Sequence, residues 1–309
     1  MDFTFDSAST LFLNYEKNIL KFQTFNLLER NFKLHIIPYF KEKKISDIKS
    51  NDLLIWYNEI NQQKFCAQFK NELRTALVQL YDYLILYYDV SDNLPKKLSK
   101  FKNCTKKREV VHVWTIKDCR KFLKVSKNDI EYNCLFDFML SNGVRIGEAL
   151  ALTFNDLEQK KIKISQSLSK DYINGKQILQ STKTNRERYL YLDFKTKQKI
   201  KRLQKYYTKK YNNFNKNFYL FGGKETLKRT TIARKKDFYC KIANVPRIRI
   251  HDFRHTHASI LYSATKNIKI VQERLGHANS NTTINTYIHV FDKEKKRTTR
   301  ILNLLRLIF

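Results

Sequence analysis

The sequence predicts a mainly α-helical protein with a small β-hairpin or sheet, divided into two domains. Three observations lead there. Only six glycines and three prolines occur among 309 residues, too few to punctuate many short strands, so long helices are the default. Apolar residues recur every three or four positions through the first ninety or so residues, the spacing of one helix face. A basic stretch at residues 95–108 then breaks the pattern with seven Lys and Arg, a proline at its start and no acid. A hydrophobic content of 42% over this length suits two domains with real cores.

The elements follow in order. Within residues 46–60, Asp52 precedes Leu53, Leu54, Trp56 and Tyr57, which reads as a helix with Trp56 in the core. Residues 71–90 place Leu73, Leu77, Leu80, Tyr81, Leu84 and Tyr88 on one stripe. The first domain therefore spans residues 1–94, and residues 95–109 form a linker. Such a linker suits a solvated charged loop and a segment crossing a DNA backbone equally well. The second domain covers residues 110–309. Thr115-Ile116-Lys117-Asp118 has capping-box spacing and opens a helix, with Trp114 as a core residue just before it. Residues 130–140 are a strongly apolar helix. Residues 161–168 and 187–192 alternate as strands, with Lys183-Thr184-Asn185-Arg186 as the turn between strands. From Lys195 helices return. The tail, residues 291–309, carries Ile301, Leu302, Leu304, Leu305, Leu307, Ile308 and Phe309. It is too apolar to stand alone, and it docks either on a neighbouring protomer or on its own domain.

Composition narrows the function. Sixty Lys and Arg against 29 Asp and Glu give a net charge of +31, which points to a polyanion, most simply nucleic acid. An AT-rich genome enriches Lys, Asn, Ile, Phe and Tyr by itself, but it does not exclude acidic codons. No basic amphipathic anchor and no membrane-length apolar run is found, so no membrane partner is expected. Five cysteines, at 66, 104, 119, 134 and 240, form no CxxC pair. They exclude a disulfide framework and fit a reducing cytoplasm.

Cutting a DNA strand without a metal needs a nucleophile in line with phosphorus, fixed cations for the charge on the non-bridging oxygens, and a proton for the departing oxygen. Two Arg, two His, a Lys and a Tyr meet these needs. In Ser141-Asn142-Gly143-Val144-Arg145-Ile146-Gly147-Glu148, Arg145 follows a glycine turn at a helix start. In His251-Asp252-Phe253-Arg254-His255-Thr256-His257, His251 and Arg254 share a helical face. Arg274-Leu275-Gly276-His277 comes next, and Tyr287 lies ten residues beyond His277. Four histidines invite a metal reading, but no third ligand stands at a recognisable spacing and Arg254 repels a cation, so no metal is expected.

This ordered set resembles the tyrosine recombinase, or phage integrase, family. The G-x-R-x-x-E box matches Arg145 and Glu148, and the hairpin lysine matches Lys183 in Thr182-Lys183-Thr184-Asn185-Arg186-Glu187-Arg188. H-x-x-R matches His251 and Arg254, L-G-H matches His277, and the following tyrosine is Tyr287. The resemblance implies a helical core-binding domain followed by a mixed α/β catalytic domain. It implies site-specific recombination of double-stranded DNA through a 3′-phosphotyrosyl intermediate on Tyr287, with no cofactor. Arg145, Arg254 and His277 would hold the phosphate, His251 would take the tyrosine proton, and Lys183 would protonate the 5′-oxygen. Glu148 and His255 would support these groups from behind. A homotetramer on DNA and an accessory directionality protein are the implied partners.

Departures are few. Phe154 stands where many relatives have Trp and fills the same apolar space. Ala264-Thr265-Lys266-Asn267 lacks a glycine before the next helix, and Asn267 is expected to supply the left-handed turn. Many relatives carry an arm-type DNA-binding domain ahead of the core-binding domain; this sequence starts almost directly with the latter, so arm-site binding is not expected. The integrase of a prophage or integrative element is the first functional reading. A Xer-like resolvase or DNA invertase is the second, and a non-catalytic DNA-binding relic the third. A type IB topoisomerase shares the chemistry without the tetramer.

Overall fold

The computed structural model describes residues 4–102, 112–170, 177–181 and 187–276. Two compact units divide it, one on residues 1–108 and 170–177 and the other on residues 109–169 and 178–309.

Within residues 4–102 the regular elements are helices. They comprise α1 (Phe5–Ile19), α2 (Phe22–Asn31), the short α3 (Ile37–Phe40), α4 (Ser50–Gln62) and α5 (Ala67–Tyr88). A π-helical turn, Phe32–Ile36, joins α2 to α3. Pro38 follows it and lacks the N–H that an α-helical ladder needs there. Helix α4 starts later than the apolar pattern suggests. Ile45–Asp47 form a 3-10 turn, and the Asp52 carboxylate accepts from the Lys49 N–H at 2.9 Å to fix the start. The predicted stripe of α5 is buried: Leu73, Leu77, Leu80, Tyr81 and Leu84 meet Phe5, Phe12, Phe32 and Trp56 in one core. Each such side chain contributes about 1.5–3 kcal/mol by leaving water. Trp56 is a core residue, and its indole N–H donates to the His35 carbonyl at 3.0 Å.

Residues 95–102, assigned to the linker by their charge, are packed on this unit. Phe101 is buried and stacks on Tyr57 with ring centroids 4.2 Å apart. Asn71 accepts from the Phe101 N–H and donates to its carbonyl, each at 2.9 Å. Arg74 donates to the carbonyls of Leu98 and Lys96. A single aromatic among lysines gives no periodic signal, so the sequence pattern is silent about this packing. The rest of the linker, residues 103–109, lies outside the described residues.

The second unit opens with α6 (Ile116–Val125), whose capping box is formed by Thr115 and Asp118 as predicted. Next come α7 (Ile130–Asn142) and α8 (Ile146–Ala151), then β1 (Lys161–Ile164), β2 (Gln166–Lys170), β3 (Gln177–Ser181) and β4 (Arg188–Tyr191). Helices α9 (Phe194–Lys210), α10 (Arg229–Ala243), α11 (Asp252–Thr265) and α12 (Ile268–Leu275) follow. Helix α7 is buried along most of its length and packs against α9 and α11. Trp114, Phe122, Phe136, Phe138 and Phe253 form the centre of the core, and Phe154 is buried with them as expected.

The strands form two separate pairs, β1 with β4 and β2 with β3. β1 and β4 run antiparallel, with Lys161 opposite Tyr191 and Ile164 opposite Arg188, so Ile162, Ile164 and Leu190 face inward. The predicted turn at residues 183–186 lies outside the described residues.

One local expectation is corrected. The left-handed residue between α11 and α12 is Lys266, at φ 54°, and not Asn267. Asn267 sits at φ −117° and caps α12, its side-chain oxygen accepting from the N–H groups of Lys269 and Ile270. An N-cap requires extended backbone, which leaves the turn to the residue before it.

Candidate active site

Helix α7 ends at Gly143, whose φ of 66° suits a residue without Cβ. A Cβ there would stand 2.5 Å from Cδ2 of His257 and 2.9 Å from Cδ2 of Leu275. The turn is therefore pressed against α11 and the end of α12. Two residues later Arg145 caps α8. Glu148 returns its carboxylate to this start: Oε2 accepts the Arg145 N–H at 3.0 Å, and Oε1 accepts Nη1 of Arg145 at 2.7 Å.

Glu148 is fully buried, and Arg188 of β4 grips it from another side. Nη2 of Arg188 donates to Oε2 at 2.6 Å and Nη1 to Oε1 at 3.2 Å. Burial alone would lift the Glu148 carboxyl. The hydrogen bonds and charge of Arg188, with Arg145 beside them, hold it down at about 2 instead.

Arg254 extends from α11 and is 2% exposed. Its Nη1 donates to the Gly143 carbonyl at 2.8 Å and its Nη2 to the Leu275 carbonyl at 2.9 Å. One guanidinium thus ties the Arg145 turn to the residue before Gly276, where α12 ends at φ 67°. Arg274 adds a second tie, donating to Asn142 Oδ1 at 2.8 Å and to the Tyr191 carbonyl at 3.2 Å.

The histidines are set by burial. His251 and His255 meet edge-on, with ring centroids 4.8 Å apart. Burial lowers His251 to about 4, and the charges of His255, Arg254 and Arg145 push the same way against Asp252. It is therefore neutral at neutral pH and able to take a proton. Burial also lowers His255, whose pull from Asp252 is opposed by Arg254 and Arg249. His257 donates Nδ1–H to the Leu140 carbonyl at 2.9 Å, and burial drives it to about 4. Among the described residues no cluster of three His, Cys, Asp or Glu is placed to hold a metal.

Arg145, Glu148, His251, Arg254 and His255 are thus brought together in one region of the second unit. Lys183, His277 and Tyr287 lie outside the described residues, as does the tail at 291–309. Sequence reasoning missed Arg188 and Arg274. Arg188 had a usable signal: it shares the strand face of Leu190 and Leu192, and a charge on a buried face asks for a buried partner. Among the described residues five arginines, Arg145, Arg188, Arg249, Arg254 and Arg274, stand in this region beside two buried carboxylates, Glu148 and Asp252. This surplus suits an anion such as a phosphodiester.

The Phage integrase family matches residues 113–294, more than half of the chain, and the Phage integrase N-terminal SAM-like domain matches residues 4–61. The chain belongs to the phage integrase family. It is a tyrosine site-specific recombinase. The ICEBs1 integrase of Bacillus subtilis (strain 168) is 25% identical over 279 residues, covering 88% of this chain and 75% of that one. A XerC-like tyrosine recombinase of Caldanaerobacter subterraneus subsp. tengcongensis is 25% identical over 292 residues, 84% of this chain and 72% of its own. The fold of this integrase is shared with the Tn1549 transposon integrase solved with transposon right end DNA, at a TM-score of 0.71 and 20% identity over 97% of this chain and 100% of that one. A lambda integrase tetramer bound to a Holliday junction gives a TM-score of 0.62 at 15% identity, over 90% of this chain and 78% of that one.

Proposed function

We propose that this recombinase is the integrase of a mobile element and that it cuts and rejoins double-stranded DNA through Tyr287. The phenolic oxygen attacks the scissile phosphorus, the bond to the 5′-oxygen breaks, and a 3′-phosphotyrosyl link forms. A 5′-hydroxyl from the partner strand reverses the step and releases the tyrosine. Arg145 and Arg254 hold the non-bridging oxygens as charge builds on them, and His277 adds a hydrogen bond. His251 accepts the Tyr287 proton, and Lys183 supplies the one the 5′-oxygen needs. Glu148 and His255 orient the groups in contact with phosphate.

The Arg254 clamp is the observation that carries this reading. A fully buried cation holding the Arg145 turn and the Gly276 turn together is costly in a merely structural role. It is useful where two distant boxes must meet one phosphate. Exchange of two duplexes calls for four protomers, so a homotetramer on DNA and an accessory directionality protein complete the proposal. Its place of action is the compartment that holds the DNA, in bacteria the cytoplasm. A Xer-like resolvase or invertase would run the same chemistry.

A nicked suicide duplex carrying the recombination site tests the assignment. In EDTA, wild type is expected to give a covalent protein–DNA band on a denaturing gel and Tyr287→Phe none. Absence of the band from a wild-type chain that binds the duplex would defeat the assignment of Tyr287 and leave a DNA-binding relic.

A further inference from the structure

Glu148 has two carboxylate oxygens, and each accepts two hydrogen bonds. Oε1 takes Nη1 of Arg145 at 2.7 Å and Nη1 of Arg188 at 3.2 Å. Oε2 takes the Arg145 N–H at 3.0 Å and Nη2 of Arg188 at 2.6 Å. One buried negative charge thus lies between two guanidiniums, and the group of three carries a net charge of +1. With a single arginine, the pair would be neutral and its cation would be spent on the carboxylate.

The two arginines are not equivalent. Arg188 places both Nη atoms on Glu148, and its buried Nε has no hydrogen-bond partner among the described residues. A Cβ on Gly276 would stand 3.0 Å from its Cδ, so the side chain is closed in by the turn that precedes His277. Arg145 gives Glu148 one Nη only, and its side chain is 26% exposed against 14% for Arg188.

We propose that Arg188 is a positioning residue that neutralises Glu148, so that the charge of Arg145 stays available to the scissile phosphate. The assignment rests on the recombinase reading of the site and deepens it. Arg188 touches neither DNA nor the reacting atoms. It acts through the carboxylate, and it also closes the space beneath Gly276.

Single-turnover cleavage of the nicked suicide duplex, at saturating full-length protein, tests this beside a gel-shift measurement of binding. Arg188→Met is expected to bind within about threefold of wild type and to form the covalent complex about 10–100-fold more slowly. Glu148 then draws on Arg145 alone. Glu148→Gln alone is the reference, because Glu148 also orients Arg145, and the double variant Arg188→Met with Glu148→Gln is expected to cleave within about threefold of it and faster than Arg188→Met. Arg188→Lys keeps the charge without the fork and should fall between.

A merely structural role predicts that the double variant is no faster than Arg188→Met, and that result overturns the proposal. So does Arg188→Met cleaving at the wild-type rate. Should Arg188→Met fail to fold because a buried carboxylate has lost a partner, the double variant carries the test. It has no such charge, and a rate within about threefold of Glu148→Gln alone supports the proposal while a slower one overturns it. A wild-type chain that binds and does not cleave sinks the recombinase reading, and this assignment with it. A cleaving wild type with an unimpaired Arg188→Met sinks the assignment alone.

Discussion

His251, His255 and His257 occupy the start and first turns of α11, and burial lowers the proton affinity of all three. The sign of the consequence is fixed by linkage. In the unfolded chain these side chains titrate near 6.5, whereas His251 and His257 titrate at about 4 when folded. Between those values the unfolded chain binds more protons. Their stabilising effect is therefore complete above the unfolded value and is lost as pH falls toward the folded one. Glu148, held at about 2 against an ordinary 4.5, acts only in a lower window. Decline on the acid side above 4.5 is thus expected to be a histidine effect. Melting temperature followed by circular dichroism from neutral pH downward should fall in this window. His257→Asn, which keeps a donor for the Leu140 carbonyl, should fall less steeply. Equal slopes for the two proteins would remove His257 from the account. Residues whose partners are local were legible in the sequence: Arg145 and Glu148 pair three positions apart. Arg188 was legible only as a charge on a buried strand face; its partner was not, because Glu148 lies 40 positions away and only the fold brings them together.

At the level of elements, the site depends on turns more than on helices. Gly143 ends α7 in left-handed backbone with no room for a Cβ, and Arg254 holds the carbonyl of the same residue. Gly143→Ala meets two costs, roughly 1–2 kcal/mol for the backbone and about 1–3 kcal/mol for crowding His257 and Leu275. The second unit is expected to lose about 2–5 kcal/mol in urea unfolding. A loss under about 1 kcal/mol would mean that α11 and α12 yield easily there. The helices themselves were readable, since apolar stripes and the Thr115–Asp118 capping box act within one element. Strand pairing was not. Alternation marks β1 and β4 as strands, but no periodicity says that residues 161–164 pair with 188–191 and leave β2 to pair with β3. The Asn267 correction has the same origin. Two jobs, left-handed turn and N-cap, fall on adjacent residues, and composition alone does not divide them.

For the whole molecule, the question is what a net charge of +31 is for. A genome rich in A and T raises lysine with no functional demand, and a charge made that way would be spread without regard to a ligand. A recombinase that grips duplex DNA through phosphates makes a different demand, and salt distinguishes the two. Each phosphate neutralised releases bound counterions, so the logarithm of affinity falls with the logarithm of salt at a slope of about −0.9 per phosphate. The integrase domain and the N-terminal domain matched in the chain, residues 113–294 and 4–61, together cover most of it. Contacts made through both would number on the order of six to ten, and affinity for the recombination site should drop about 10³–10⁵-fold between 50 and 200 mM salt. Fluorescence anisotropy with a labelled site duplex measures that slope. The same titration on a duplex of scrambled sequence should run nearly parallel at weaker affinity, because phosphate contacts carry the slope and base contacts the offset. A slope near −1 or −2 would mean that one or two phosphates are held. Most of the positive charge would then be an imprint of composition, and the arginines around Glu148 would be nearly all of the anion-binding machinery.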